Sequence, residues 1–345
     1  MAKKPEIKFA SFNLNNLQLP GKPMYHGNTY TPKQYDRKIA WTADMLTELD
    51  ADIIGFQELW HPDALKDAFK EAGLDQDYKL VTKLFSGSIA TALAVRTRHQ
   101  VKKKKWIEKF PKELVLKKRK SASGEPEYKI SVSADSFSRA VLRAEIQPSQ
   151  GSKKPPSIVF YVAHLKSKLP MSLDKEEAKK PSVKKHSTAI GSALSTIRRA
   201  AEAAALRVVL NKEMKSTKTP VVVIGDLNDN QLSVTTAIIS ADPSYRPYAT
   251  SLKGQASDTG LYAVAALQEY RSLRDVYYTY LHNNRRESLD HILVSEQFYD
   301  YSRNRKWSFK EMRVINDHLD NDKKVNKLAT DHGTMCATFV YSPRK

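Results

Sequence analysis

The chain has 345 residues, 41% of them hydrophobic, with 57 Lys and Arg against 38 Asp and Glu, a formal charge of +19 and a mean hydropathy of −0.54. Its single cysteine, Cys336, excludes an internal disulfide and a cysteine-based zinc cage, and the absence of any run of about 18 apolar residues excludes a helical membrane span. The positive excess calls for a polyanionic partner, nucleic acid first and an anionic lipid surface second.

Residues 6–14, "EIKFASFNL", predict an apolar strand. A helix follows over about 32–49, where Thr31, Pro32 and Gln34 fit an N-cap, a first-turn proline and the return partner of a capping box. Ile39, Leu46 and Leu49 mark its inward face, with Trp41 and Met45 beside it. "ADIIGFQELW" is the next strand, ending at Gln57 and Glu58, and residues 62–72 form a short helix between Pro62 and Gly73. The β-rich stretches "TALAVRT", "ISVSA", "RAVLRAEI" and "SIVFYVAHL" come next.

Between the first two of these lies "VKKKKWIEKFPKELVLKKRK", residues 101–120, with ten basic and two acidic residues. It reads as a charged hairpin or an excursion from a sheet edge. One account is an edge strand protected by lysines; the other is a surface that follows a phosphate backbone through Lys102, Lys103, Lys104, Lys105, Lys117, Lys118, Arg119 and Lys120. Residues 172–187 read as a polar, mobile loop. A long helix from Ser187 to about Met214 carries Ile190, Leu194, Ile197, Ala201, Ala204 and Val208 at spacings of three and four. "VVVIGDLNDN" then supplies a buried strand, residues 231–270 read as irregular, and "SLDHILVS" and "HGTMCATFVY" close the chain as strands, with Cys336 a buried thiol. Trp41, Trp60, Trp106 and Trp307 read as packing anchors. With no internal repeat and no long Gly/Ser linker, residues 1–345 are expected to form one domain. The basic start has no apolar stretch of signal-peptide length, so a cytoplasmic monomer is expected; an exported chain with a trimmed leader reads the same.

The apolar strands end in groups suited to metal binding or proton transfer: Asn13, Glu58, His164, Asp226 with Asn228, Asp290 with His291, and Asp331 with His332. One such ending is a turn. Six together predict a polar crevice along one edge of the sheets. Carboxylate and amide oxygens with histidine and no thiolate suit Mg²⁺ or Mn²⁺ rather than zinc. His291 reads as structural, because neighbouring strand residues face opposite sides. Asp317 and His318 imitate the Asp-His pair without preceding a strand. Gln57 reads as a support for Glu58, and Arg198 or Arg199 as a salt bridge on the long helix.

In order, "SFNLNNL", "GFQELW", "VAHLKS", "GDLND", "SLDHILVS" and "TDHGTM" resemble the successive signatures of the endonuclease/exonuclease/phosphatase superfamily. "SFSRAVLRAEI", "HLKS" and "IRRAAEAAALRVVL" look closest to bacterial deoxyribonuclease I-like members. The resemblance implies a four-layer α/β sandwich, two packed mainly antiparallel or mixed sheets flanked by helices. It implies that Asn13 and Glu58 border a metal with Glu58 its main ligand, and that Asp331 lies on the far side. Asp226 and Asn228 would hold the attacking water and phosphate oxygens, Asp290 would pair with His332, Arg139 would contact phosphate, and His164 would serve the leaving group. Asn15 stands where abasic-site endonucleases carry an aspartate, which argues against that branch, and "SIATALAV" offers no tyrosine for a DNA minor groove.

In-line phosphodiester hydrolysis needs a proton acceptor for water, neutralisation of the phosphoryl oxygens, and help for the leaving alkoxide. Either His332 or Asp226 can accept the proton, and a protonated His164 can donate one. A metal-dependent nuclease, DNA before RNA, is the first expectation. A phosphatase or lipid phosphodiesterase of the same superfamily, and a nucleic-acid-binding module without activity, are the alternatives.

Overall fold

The computed structural model describes residues 5–114, 134–149, 155–245, 259–272, 277–282, 285–320 and 328–344. In chain order these form β1 (Glu6–Leu17), α1 (Pro32–Leu49), β2 (Ile53–Leu59), α2 (Pro62–Glu71), β3 (Tyr78–Val81), β4 (Ala90–Arg96), β5 (Gln100–Lys109), β6 (Ser136–Gln147), β7 (Ile158–His164), α3 (Lys175–Lys179), α4 (Pro181–Lys184), α5 (Ser187–Met214) and β8 (Val221–Asp226). There follow α6 (Val234–Ser240), β9 (Leu261–Ala263), α7 (Val264–Glu269), β10 (Tyr280–His282), β11 (Arg285–Glu287), β12 (Asp290–Ser295), β13 (Trp307–Ile315), α8 (Asp317–Asp320) and β14 (Thr334–Tyr341).

Two six-stranded sheets result among the described residues, ordered β13-β14-β1-β2-β4-β3 and β5-β6-β7-β8-β12-β9. Each holds one parallel pair at its centre, β1 with β2 and β7 with β8, and antiparallel neighbours elsewhere. A parallel pair needs a crossover, and α1 and α5 supply the two. The inner faces meet in an apolar core around Phe9, Phe160, Phe298 and Phe339, whose rings contact at 5–6 Å, as between Phe9 and Phe160 at 5.1 Å. α1 and α2 cover the outer face of the first sheet, and α5 that of the second, which completes the expected four layers. Both crossovers return the chain so that β1, β2, β7 and β8 end along the same edge, the place where such sheets hold ligands.

α1 has the predicted cap: Gln34 N–H donates to Thr31 Oγ1 at 3.3 Å and Thr31 N–H to Gln34 Oε1 at 2.9 Å. Cys336 is buried in β14 as expected. Four readings need correction. The 101–109 stretch is no excursion but an edge strand paired along β6, with register shifts at Val101/Lys103 and Ile107/Lys109; residues 117–120 lie outside the described residues, as do 130–133 of "ISVSA". Residues 172–187 hold two short helices, the first capped by Asp174. The region 231–270 contains α6, β9 and α7, and β13, whose inward positions include Trp307 and Phe309, has no counterpart among the predicted elements. On α5 the predicted stripe is largely half-exposed. The buried face instead includes Ser195, Arg199 and Glu202, because these side chains serve backbone groups of the 165–169 and 136–138 segments beneath the helix.

β8 passes β7 so closely that Gly225 has no alternative. Its φ is +147°, and a Cβ there would stand 1.9 Å from the Ala163 carbonyl oxygen. Gly225→Ala is expected to cost about 3 kcal/mol or more, since backbone must move and the residue is also strained. A urea midpoint equal to that of the wild type would contradict this.

Candidate active site

Strand pairing sets three site residues side by side. His164 and Asp226 are partners in the β7–β8 ladder, and Asp226 and Asp290 are partners in the β8–β12 ladder. From the other sheet, Asn13 and Glu58 reach the same place. Asn13 Nδ2 donates to Asp226 Oδ2 at 3.2 Å and faces Glu58 Oε1 at 3.5 Å. His332, just ahead of β14, closes the ring: its Nδ1 meets Asp290 Oδ2 at 2.8 Å and its Nε2 lies 3.7 Å from Asp226 Oδ2. His164 Nε2 is 3.6 Å from the same Asp226 oxygen and 4.0 Å from Glu58 Oε1.

The backbone is bent to achieve this. Glu58 sits at a register shift between β2 and β4 with φ +62°, and Asn228, Asn15 and Asn16 also have left-handed φ values of +54°, +46° and +61°. Such strain, of order 1–3 kcal/mol per residue, gathers where structure serves chemistry. Asn16 N–H donates to Glu58 Oε2 at 3.1 Å, and Asn228 N–H to Asp226 Oδ1 at 2.8 Å. Arg139 Nη1 and Asn228 Nδ2 share the Leu165 carbonyl, at 3.2 and 3.0 Å.

Electrostatics separate the groups. Asp226 is 1% exposed, and burial pushes its carboxyl up to about 7 against the pull of His332, with Asp290 adding to the rise. Burial also opposes charge on His332, but the carboxylates of Asp290 and Asp226 outweigh it and hold the imidazole well above its ordinary value. His164 goes the other way. Burial, then the charges of Arg139 and His332, hold it well below the ordinary value. Burial raises Glu58, and neighbouring Asp331 raises it further against His332 and Arg139.

These directions bear on two expectations. The raised value favours the charged form of His332 and so favours Asp226 as the proton acceptor of the two. The lowered value disfavours a standing imidazolium at His164, on the expected leaving-group side. Asn13 lies against Glu58, the carboxylate expected to hold the metal. Its Oδ1 takes the Asn15 N–H at 2.9 Å, so it presents its amide N–H₂ to Glu58 and Asp226 as a bridge between carboxylates. Gln57 does not support Glu58; it bonds Ser11 Oγ and the Gly55 carbonyl. His291 is structural, with Nε2 on the Asp229 carbonyl at 2.8 Å, and His318 holds the His332 carbonyl at 2.9 Å.

Thr330 and Thr279 were not singled out from the sequence, yet both set the Asp-His pair. Thr330 Oγ1 donates to the Asn13 carbonyl at 2.8 Å and accepts His332 N–H at 3.1 Å, while Thr279 Oγ1 accepts Asp290 N–H at 3.1 Å. The first belongs to the quoted "TDH"; the second has no local signal. Lys38 was also missed. It is 1% exposed, and burial lowers it to about 8 despite Asp331 and Glu58 nearby. Lys102, Lys103, Lys104 and Lys105 are exposed on β5, where Lys105 pairs with Arg143, itself opposite Tyr161. That is two strands across and three residues back from His164, about 10 Å in each direction. Their exposure agrees with both accounts, an edge guarded by charge and a surface that follows a phosphate backbone. Lys117, Lys118, Arg119 and Lys120 lie outside the described residues.

For a metal, Glu58 and the exposed Asp331 are the carboxylates available. Their like charges face each other, and the closest basic atom within ion-pair range of Glu58 is the neutral His164. No group of three or more His, Cys, Asp or Glu among the described residues is arranged to hold a metal ion. A hard divalent ion that keeps several waters and takes one or two carboxylates fits this donor set; a structural zinc does not.

In a metal-free buffer, Asp226→Asn is expected to gain stability on the wild type as pH rises. The folded Asp226 value of about 7 lies above the ordinary 3.8, so the unfolded chain releases the proton first and wild-type stability falls from about pH 4 to about pH 7. His332 adds the same sign: its contribution is complete below about pH 6.5 and lost as pH climbs through its raised folded value. Urea denaturation at pH 4.5 and 8 should show a gap that widens by up to a few kcal/mol; an equal gap at both would mean Asp226 titrates normally.

No curated protein matches the chain in sequence. Among solved structures, the mannosyl-6-phosphatase Bt3783 of Bacteroides thetaiotaomicron has a TM-score of 0.55 at 14% identity, covering 97% of this chain and 100% of that one. D. rerio TDP2 complexed with single-strand DNA product has 0.54 at 14%, covering 97% and 98%. The human Nocturnin catalytic domain with bound sulfate has 0.54 at 13%, covering 99% and 96%. At these identities the likeness is one of fold. A sequence profile matches residues 10–332, and with it the chain belongs to the Endonuclease/Exonuclease/phosphatase family, whose members act on phosphoester bonds.

Proposed function

We propose that the chain is a divalent-metal-dependent phosphodiesterase that hydrolyses nucleic acid, DNA before RNA, by in-line attack of water, with the two sheets serving as one catalytic unit. The observation that carries this reading is the Asp226 carboxylate, titrating near 7 and framed by His332, His164, Asn13 and the Asn228 N–H. A proton acceptor matched to neutral pH is what activation of water requires, typically worth about 10²–10⁴-fold. Asp226 takes the proton. His332, kept charged and oriented by Asp290, turns its Nε2 side to the phosphoryl oxygens, which Arg139 and Asn228 also neutralise. His164 offers an imidazole N–H to the leaving oxygen. Glu58 and Asp331 would hold the ion, which when bound supplies Lewis-acid neutralisation of the phosphoryl and leaving oxygens; family members are in general divalent-metal dependent. The charge of +19 supports a polyanionic substrate over a small phosphomonoester.

The test is turnover of supercoiled plasmid, single-stranded DNA, RNA, sphingomyelin, bis(p-nitrophenyl) phosphate and p-nitrophenyl phosphate, with Mg²⁺ and with excess chelator. Nucleic acid should be cleaved only with the ion, and Glu58→Gln should keep its thermal transition while losing at least about 100-fold in turnover. Cleavage of the phosphomonoester alone would overturn the nuclease reading.

His332 and Asp290 are expected to act as a unit. The aspartate contributes through the histidine it charges, so the double alanine variant should be no slower than the worse single variant. Losses that multiply would break the pairing.

A further inference from the structure

Beyond the crevice on its His164 side, residues 165–167 carry the chain away from β7. Their carbonyls gather cations: Leu165 takes Arg139, while Lys166 and Ser167 take Arg199 Nη1 at 3.3 and 3.4 Å. Lys166 lies within reach of the charges of Arg139, Arg199 and Arg198, its N–H anchored on Glu202 at 2.8 Å. Arg198 pairs with the same carboxylate at 3.1 Å. Four cations therefore share one small region.

The anions there are already engaged. Glu202 is fully buried and accepts from Ser138 N–H and Oγ, Lys166 N–H and Arg198 Nε. Asp229 accepts from Arg199 and from Thr235 Oγ1 at 2.7 Å. Among the described residues, neither Arg139 nor the Lys166 ammonium has a carboxylate within ion-pair distance, and the ammonium's hydrogen-bond partner is Ser167 Oγ at 3.1 Å. Burial and then Arg139 hold the half-buried Lys166 below the ordinary lysine value. Four cations against two carboxylates, Glu202 and Asp229, leave an excess of positive charge in a part-buried place, which an anion would relieve.

We propose that Lys166, beside Arg139, is a subsite for a second phosphate of the substrate, next to the phosphate that reacts. This rests on the reading above, in which Arg139 and Asn228 hold the reacting phosphate. The subsite selects substrates with phosphates in close succession, as along a polynucleotide strand, and gains nothing from a lone phosphomonoester.

Calorimetric titration of the full chain in Ca²⁺ with thymidine 5′-monophosphate and thymidine 3′,5′-bisphosphate tests it. The wild type should prefer the bisphosphate by about tenfold, the worth of one charged hydrogen bond. Lys166→Gln should erase the preference while monophosphate affinity changes less than twofold, and Lys166→Arg should restore it. With single-stranded DNA and RNA octamers, Lys166→Gln should flatten the slope of log affinity against log salt by about 0.7. Whichever octamer shows that loss identifies the strand that supplies the second phosphate. Equal loss on mono- and bisphosphate, or no loss, overturns the subsite. If the bisphosphate preference depends on Lys166 yet no nucleic acid is cleaved, the functional reading fails and the subsite stands; cleavage without that preference is the reverse.

Discussion

One carboxylate that water scarcely reaches governs the arrangement. Placing the Asp226 charge at 1% exposure would by itself cost several kcal/mol. The surroundings return part of it: the Asn228 N–H at 2.8 Å, the Asn13 amide at 3.2 Å and the imidazolium of His332 at 3.7 Å. The balance leaves the carboxyl near 7, free to hold or release a proton at neutral pH. Two flanking carboxylates raise His332 against its burial, and His164 is lowered by burial first and then by the charges of Arg139 and His332. Each group's state follows from Asp226 and its neighbours taken together.

The fold supplies the rigidity this needs. Two parallel pairs, each with a helical crossover, bring four strand ends to one edge, and the aromatic core between the sheets holds them there. That core sustains the left-handed backbone at Glu58 and Asn228, which in a looser scaffold would relax and swing both side chains away. Gly225 adds a local requirement. Only without a Cβ can β8 approach β7 closely enough to set Asp226 beside His164.

Positive charge is divided between two kinds of place. On β5 the lysines are exposed, and Lys102 reaches only neighbouring side chains, Gln147 and Ser157, at 2.9 Å each. Around Lys166 the cations are part-buried and crowded, and among the described residues Arg139 and Lys166 have no carboxylate within ion-pair distance while Arg198 and Arg199 do. A solvated lysine is nearly free to place anywhere, whereas a crowded, desolvated one implies a missing partner.

The site residues were legible in the sequence because polar groups break apolar runs, and Asn13, Glu58, His164, Asp226, Asp290 and His332 each stand at such a break, although most of them are buried. The cap of α1 and the bounds of α5 were equally local, set by residues within a turn of one another. The inward face of α5 was not. Its polar side chains are buried because Glu202 and Arg199 satisfy backbone groups of distant segments, and a hydrophobic stripe cannot record that. The same limit hid β13, Thr279 and Lys38. Which group accepts the proton was decided only in three dimensions. Asp226 and Asp290 are the same residue type at similar strand ends and equally buried, and Asp226 differs in its partners: the Asn13 amide from 213 residues away, and a histidine that is itself held by Asp290. Local sequence encodes where polar groups emerge; protonation depends on desolvation and on charges that only the packed sheets bring together.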